Sequence, residues 1–446
     1  MDKPRIGLVA LGRTTFDVDY AEEVLAGALA TLERIDAEFV GEPKLLFDED
    51  AVKAALPALK AGPLDLLLVL QVTFTDAAMT VELADQIDAP MMLWSFPEER
   101  TGGRLRLNSF CGVNLAAHAL SRRGRSIDYV HAAADDPAAA GKIGTAARAS
   151  ALARRLNGTK LLVVGEHPPG FDPCDFDADE LRRRFGIEIA RQPVKDFIEE
   201  VKAAPDAIAA PAWERRSRQL VNLAEMDETA TRKTLKVYAL LRDKAEAEGY
   251  RGIAVRCWPD FFTDYGCAVC GALALLNEDR VPAGCEADVY GVLTSLLAQW
   301  ASGGAAFNTD LVDVDPSDDT VVFWHCGQAP IDMADPEVEP RATIHSNRKM
   351  PLLSEFPLKP GRITLARLTR GGGTLRLMLG GGEMIRRPLA FSGTAGTARL
   401  DVPAAAFLDA LLTEGLEHHT TLTYGDHRPV LRAFAKRNGI PVVEMT

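Results

Sequence analysis

The chain has 446 residues, 47% of them hydrophobic and 25% charged, the composition of an ordinary globular protein with length for two to three domains. A net charge of −13 argues against a nucleic-acid partner, which needs clustered cations for its phosphates. No uninterrupted apolar run of about 18 residues is present to span a bilayer, and no signal peptide is evident, so neither a membrane partner nor export is expected and the reading is cytoplasmic. Seven cysteines in mostly apolar surroundings read as reduced thiols.

In chain order, Arg5 to Gly12 reads as a buried strand and Tyr20 to Ile35 as an amphipathic helix. Asp65 to Gln71 is a second strand, Ala77 to Gln86 a helix and Pro90 to Ser95 a third strand. This alternation predicts a parallel sheet covered on both faces, a Rossmann-like α/β/α domain over residues 1–157. Ligands meet such sheets at the carboxyl ends of the strands, which here carry Arg13, Gln71 and Trp94. No Gly-x-Gly-x-x-Gly follows the first strand, which weighs against a dinucleotide. Arg13 is a candidate to hold an anionic substituent through its planar fork of donors, with solvation as the plain alternative. Asn108 opens the next helix and either caps it or faces a ligand.

A second α/β unit, residues 158–300, starts at Thr159-Lys-Leu-Leu-Val-Val-Gly and includes helices at Asp179 to Phe185 and Glu225 to Glu248. The strand Gly252 to Cys257 then delivers the chain into its chemically richest stretch, Val255 to Gly327. Here lie Cys257-Trp-Pro-Asp260, Asp264, Cys267-x-x-Cys270, Cys285-Glu-Ala-Asp288 and His325-Cys-Gly327. Pro282 and Gly284 end one helix, and the apolar run Gly291 to Trp300 starts another. Glu286 and Asp288 therefore fall in a short strand or turn between them, and on a strand two such carboxylates point the same way and can share a cation. The plain alternative is that Asp288 caps the following helix and Glu286 is solvated. The Cys267 and Cys270 spacing suits zinc or redox chemistry, but no second pair with matching spacing supports a structural zinc site.

From about residue 301 to 446 short alternating runs replace helical periodicity, at Thr320 to His325, Arg362 to Leu368, Thr374 to Leu379 and Thr397 to Val402. Glycines at 371–373 and 380–382 read as turns, so this third unit is expected to be a small antiparallel β-barrel. Adjacent histidines, His418 and His419, precede the final helix, Arg428 to Asn438; neutral imidazole is a common metal ligand.

Taken together, Cys257-Trp-Pro-Asp260, Cys285-Glu-Ala-Asp288, His325-Cys-Gly327 and Glu417-His-His-Thr420, followed by Phe434-Ala and Gly439-Ile440, resemble the L-fucose isomerase and L-arabinose isomerase superfamily. The order of these motifs fits nearly the whole length. The resemblance implies a metal-dependent ketol isomerase, with a divalent cation, usually Mn2+, held by two acidic residues and one or more histidines. It also implies a homo-oligomer, trimer or hexamer, with sites completed between subunits. Carried over, Glu286 and Asp288 match the second acidic position, His419 or His418 the histidine near the end, and His325 a further histidine. The first acidic position is where the chain departs: Asp260 to Cys270 contains no glutamate, and Asp260 and Asp264 are the carboxylates available there.

The candidate set is therefore Asp264, Glu286 and Asp288 for catalysis; Arg13, Trp94, Asn108 and Trp258 for substrate; and Asp260, Glu286, Asp288, His325, His418 and His419 for metal. Converting an aldose to a ketose moves a proton between C1 and C2 through an enediol. A hard cation stabilises the developing oxyanion while a carboxylate transfers the proton. An arginine at position 13 further suggests a monosaccharide with an acidic substituent such as a sulfonate, phosphate or carboxylate. The competing reading is a non-catalytic sugar-binding or regulatory protein of the same fold.

Overall fold

A computed structural model describes residues 3–445; Met1, Asp2 and Thr446 lie outside the description. The chain forms two compact units, divided between Arg154 and Arg155. The first is built on a six-stranded, all-parallel sheet. Its strands run Glu38–Val40, Arg5–Leu11, Leu66–Gln71, Met91–Ser95 and Ile127–His131 across the sheet, with Leu45–Leu46 pairing beside Arg5–Leu11. Leu66–Gln71 is buried along its whole length because apolar clusters pack on both faces of the sheet. The helix Glu49–Leu59 carries Pro57 inside it, a residue that hides a helix from propensity reasoning.

The second unit contains a four-stranded parallel sheet in the order Ala283–Gly284, Tyr250–Val255, Lys160–Val164, Glu188–Gln192. Ala283 pairs with Ile253 and Gly284 with Ala254, so the segments leaving both strands emerge side by side. That register brings Cys257 and Cys285 together, Cα atoms 5.7 Å apart, as a disulfide. The expectation of seven reduced thiols thus holds for the other five cysteines only.

The same unit also holds a nine-stranded sheet that is mixed rather than purely antiparallel. Arg376–Ile385 runs parallel to Val442–Met445, and Leu353–Pro357 runs parallel to Thr394–Leu400. This sheet shares a compact unit with the second sheet, so the small, separate antiparallel barrel expected from the alternating runs takes a different form. Gly380, Gly381 and Gly382 lie inside the strand Arg376–Ile385 and not in a turn. There a Cβ on Gly382 would run into the backbone of Arg399 and Leu400.

The apolar helix Val289–Ser302 joins the two sheets. Toward the parallel sheet it presses Val292 against Gly252, a position where a Cβ would collide with that side chain. Toward the mixed sheet, Thr294 Oγ1 accepts from the Leu368 amide at 2.9 Å and Ser295 Oγ meets Thr421 Oγ1 at 3.3 Å. The start of this helix is therefore held where both sheets end.

Candidate active site

The turn before this helix sets the directions of two carboxylates. Glu286 and Ala287 have φ of 58° and 57°, left-handed backbone that breaks the alternation of a strand. Glu286 and Asp288 consequently diverge, which corrects the expectation that they share one cation. Asp288 is fully buried and its oxygens are used within the protein. Oδ1 caps the helix by accepting from the Gly291 amide at 2.9 Å. Oδ2 accepts from Arg367 Nη1 at 2.6 Å and Asn308 Nδ2 at 3.1 Å, and meets His419 Nδ1 at 2.8 Å. Arg367 is itself buried and also faces Glu417 at 3.7 Å.

Asp310, unremarked in the sequence, is brought in by strand register. Ala306–Asp315 pairs antiparallel with His419–Tyr424, placing Asp310 opposite His419. His419 Nε2 lies 3.1 Å from Asp310 Oδ1 and 3.5 Å from Glu286 Oε2. His325 Nε2 lies 4.0 Å from Asp310 Oδ1, and His418 Nε2 is 3.6 Å from Glu286 Oε2. Trp258 Nε1 donates to Glu286 Oε1 at 3.1 Å, and Phe171 stands edge-on to Trp258, ring centroids 5.2 Å apart.

Electrostatics favour ionised carboxylates. Burial opposes charge on Glu286, but His418, with His419 and His325 behind it, outweighs burial and lowers its pKa. Burial likewise works against Asp310, and His325 and His419 still bring it down to about 2. On His419 burial disfavours the cation, yet Asp288 and Asp310 hold its pKa well above the usual imidazole value.

Other sequence candidates fall elsewhere. Asp260 is ion-paired with Arg256 at 2.7 Å, and Asp264 accepts from the hydroxyl of its neighbour Thr263 on an exposed turn. Neither joins the cluster, because the turn Phe261–Tyr265 carries Asp264 outward. Within the first unit, Arg13 is ion-paired with Asp76. Trp94 lies in the apolar core, its Nε1 donating to the Ala132 carbonyl at 3.1 Å. Asn108 sits at a helix N-terminus with φ of 51° and makes no side-chain cap. Cys267 and Cys270 are buried free thiols.

Glu286 Oε2, Asp310 Oδ1, His325 Nε2 and His419 Nε2 are all buried and without a hydrogen bond of sound geometry. Buried polar atoms are rarely left so, and carboxylate and imidazole atoms of this kind are what a cation site needs. Asp310, His325 and His419 have ligand atoms within 4.8 Å of one another, as do Cys174, Glu286 and His419. Both groups, which share His419, offer donors that fit a divalent metal: Asp310 and His325 in one, Glu286 and Cys174 in the other, with Asp288 holding His419 Nδ1 from behind.

In the second unit a parallel sheet and a mixed sheet border a buried cluster of carboxylates and histidines, and comparison with known proteins shows the class to be the sugar isomerases. Residues 7–152 match the fucose/sulfoquinovose isomerase N-terminal domain and residues 323–446 the L-fucose isomerase C-terminal domain. The sulfoquinovose isomerase of Priestia aryabhattai is 30% identical over 427 residues, 96% of each chain. That of Alkalicoccus urumqiensis is 29% identical over 436 residues, 98% of each. The chain belongs to the fucose/sulfoquinovose isomerase family and is an aldose-ketose isomerase.

Proposed function

We propose that this protein is a divalent-metal-dependent isomerase of a sulfonated monosaccharide, with Mn2+ as the cation. Two overlapping groups of buried ligand atoms that share His419 support the metal. The full-length similarity to sulfoquinovose isomerases supports the sulfonated sugar. Asp310, His325 and His419 would hold the cation, with Glu286 and His418 beside it. When bound, the metal supplies a Lewis acid for the two substrate oxygens and stabilises the negative charge that develops on them.

The remaining steps belong to the chain. Glu286 carries the carbon-bound proton from C2 to C1, taking it as the enediol forms and returning it to the neighbouring carbon, while the O2 hydroxyl proton passes to O1, so charge and atoms balance. Trp258 holds Glu286 Oε1 in place for that transfer. Phe171 and Trp258 shield one side of the carboxylate from water. Asp310 fills the role of the glutamate missing between Asp260 and Cys270, reached through strand pairing instead of through a local motif. Asp288 positions His419 through Nδ1 and would act on the metal through that imidazole. Assembly as a trimer or hexamer is part of the same proposal and is read from the mass in solution.

The test is to incubate purified protein with sulfoquinovose and with neutral aldoses, following ketose formation by NMR. Activity on sulfoquinovose that disappears on chelation and returns with Mn2+ is expected. Full turnover in rigorously metal-free protein would sink the metal assignment, and preference for neutral sugars would sink the substrate.

A further inference from the structure

A sulfonated sugar brings a permanent negative charge to the end of the molecule remote from C1 and C2, and an isomerase selecting it needs a cation with charge to spare. Most arginines around the second unit's site have none. Arg256 is paired with Asp260, and Arg367 with Asp288 and Glu417. Arg370 is paired with Asp177 and Glu180. In the first unit Arg13, the residue the sequence had favoured for this task, is ion-paired with Asp76.

Arg348 differs. It is half-buried and forms no ion pair with a carboxylate among the described residues. Its guanidinium carbon stands 5.0 Å from the Trp258 ring centroid and 5.1 Å from that of Phe262. Trp258 is the residue whose indole N–H donates to Glu286, so one aromatic ring separates Arg348 from the reacting carboxylate. The nearest polar neighbour is His345 Nε2, 3.2 Å from Arg348 Nη1. That contact does not satisfy the guanidinium. His345 Nδ1 faces the backbone amides of Asn347 and Arg348, both at 3.3 Å, and so serves as the acceptor. A neutral imidazole accepting at Nδ1 carries its hydrogen on Nε2, which then has no lone pair for Arg348.

The loop is also built to hold the side chain still. His345 is buried and stacks edge-on against Phe262 at 5.4 Å, while the loop closes through Lys349 N to His345 O at 2.8 Å and His345 N to Met350 O at 2.9 Å. An arginine fixed between two aromatic faces, with its donor edge unmatched by any carboxylate, is suited to bidentate recognition of a tetrahedral oxyanion.

We propose that Arg348 is the residue that recognises the sulfonate of the substrate and thereby sets the preference for an anionic sugar. The inference rests on the sulfonated-sugar reading above. Trp258 has two jobs in this arrangement, orienting Glu286 through its N–H and supporting Arg348 with its ring face. The reacting end and the anionic end of the substrate are thus registered on one side chain.

The experiment compares kcat/KM for sulfoquinovose and for glucose, which carries a hydroxyl in place of the sulfonate, in wild type, Arg348→Gln and Arg348→Lys, with bound metal measured in each. Arg348→Gln is expected to lower the sulfoquinovose-to-glucose ratio by about ten- to a hundredfold, chiefly through KM, at unchanged metal content. Arg348→Lys restores part of the ratio, since the charge returns without the fork. An unchanged ratio in Arg348→Gln, or an equal loss on both sugars, overturns the assignment of Arg348 while leaving the substrate reading intact. Absence of any preference in wild type overturns the substrate reading, and this inference with it.

Discussion

Asp288 Oδ2 and His419 Nδ1 are 2.8 Å apart in a fully buried contact, and that contact leaves Nε2 as the one nitrogen of His419 facing Glu286 and Asp310. The carboxylate thus acts on the site through the imidazole. On the proposed metal site, removing His419 would delete a ligand, and altering Asp288 would only loosen one.

The two variants should therefore separate. His419→Ala is expected to lose bound Mn2+ altogether, whereas Asp288→Asn should retain it with affinity lowered about 10- to 100-fold. Metal titration followed by calorimetry or electron paramagnetic resonance reads the difference. Equal and complete loss in both would return Asp288 to the ligand set.

Asp310→Asn keeps the shape of the side chain and removes the charge. Metal affinity should fall and activity with it, while the thermal transition of the metal-free protein stays close to wild type. Native affinity in this variant would remove Asp310 from the site.

Trp258→Phe preserves an aromatic face toward Phe171 and Arg348 but deletes the N–H that holds Glu286 Oε1. A hydrogen bond to a charged group contributes about 1.5–3 kcal/mol, so a kcat reduced by about one to two orders of magnitude is expected. Substrate KM should move much less. A wild-type kcat would show that Glu286 needs no orientation from this ring.

Gly291 lies in the first turn of the helix Val289–Ser302, where a Cβ would collide with the Asp288 carboxylate and with Asn308. Gly291→Ala should destabilise the protein by about 1–3 kcal/mol despite the better helix propensity of alanine. Denaturant unfolding measures it, and a stabilised variant would contradict the packing described.

Far from the chemistry, Glu278 binds Arg215 and the fully buried Arg216, each at 2.6 Å. Glu278→Ala leaves a buried guanidinium without its counter-charge, with an expected cost of about 3–5 kcal/mol. A thermal midpoint equal to wild type would mean the arginine finds another partner.

The sequence by itself determined the parallel α/β units, since apolar strands such as Leu66–Gln71 and Tyr250–Val255 alternate with helices at local spacing. It also marked Glu286, Asp288, His325, His418 and His419 as candidates, together with Asp260 and Asp264, which lie outside the cluster, because carboxylates and imidazoles in short motifs are visible without any contact map. The tertiary structure alone decided three things. The left-handed turn at Glu286 and Ala287 sent Asp288 away from Glu286, a conformation that two non-glycine residues give no local cue to expect. Strand register set Asp310 against His419, a pairing 109 positions apart that depends on which edge each strand meets. Charge pairing set Asp76 beside Arg13 and, among the described residues, no carboxylate beside Arg348, because which carboxylates meet a guanidinium depends on how the folded chain brings them together.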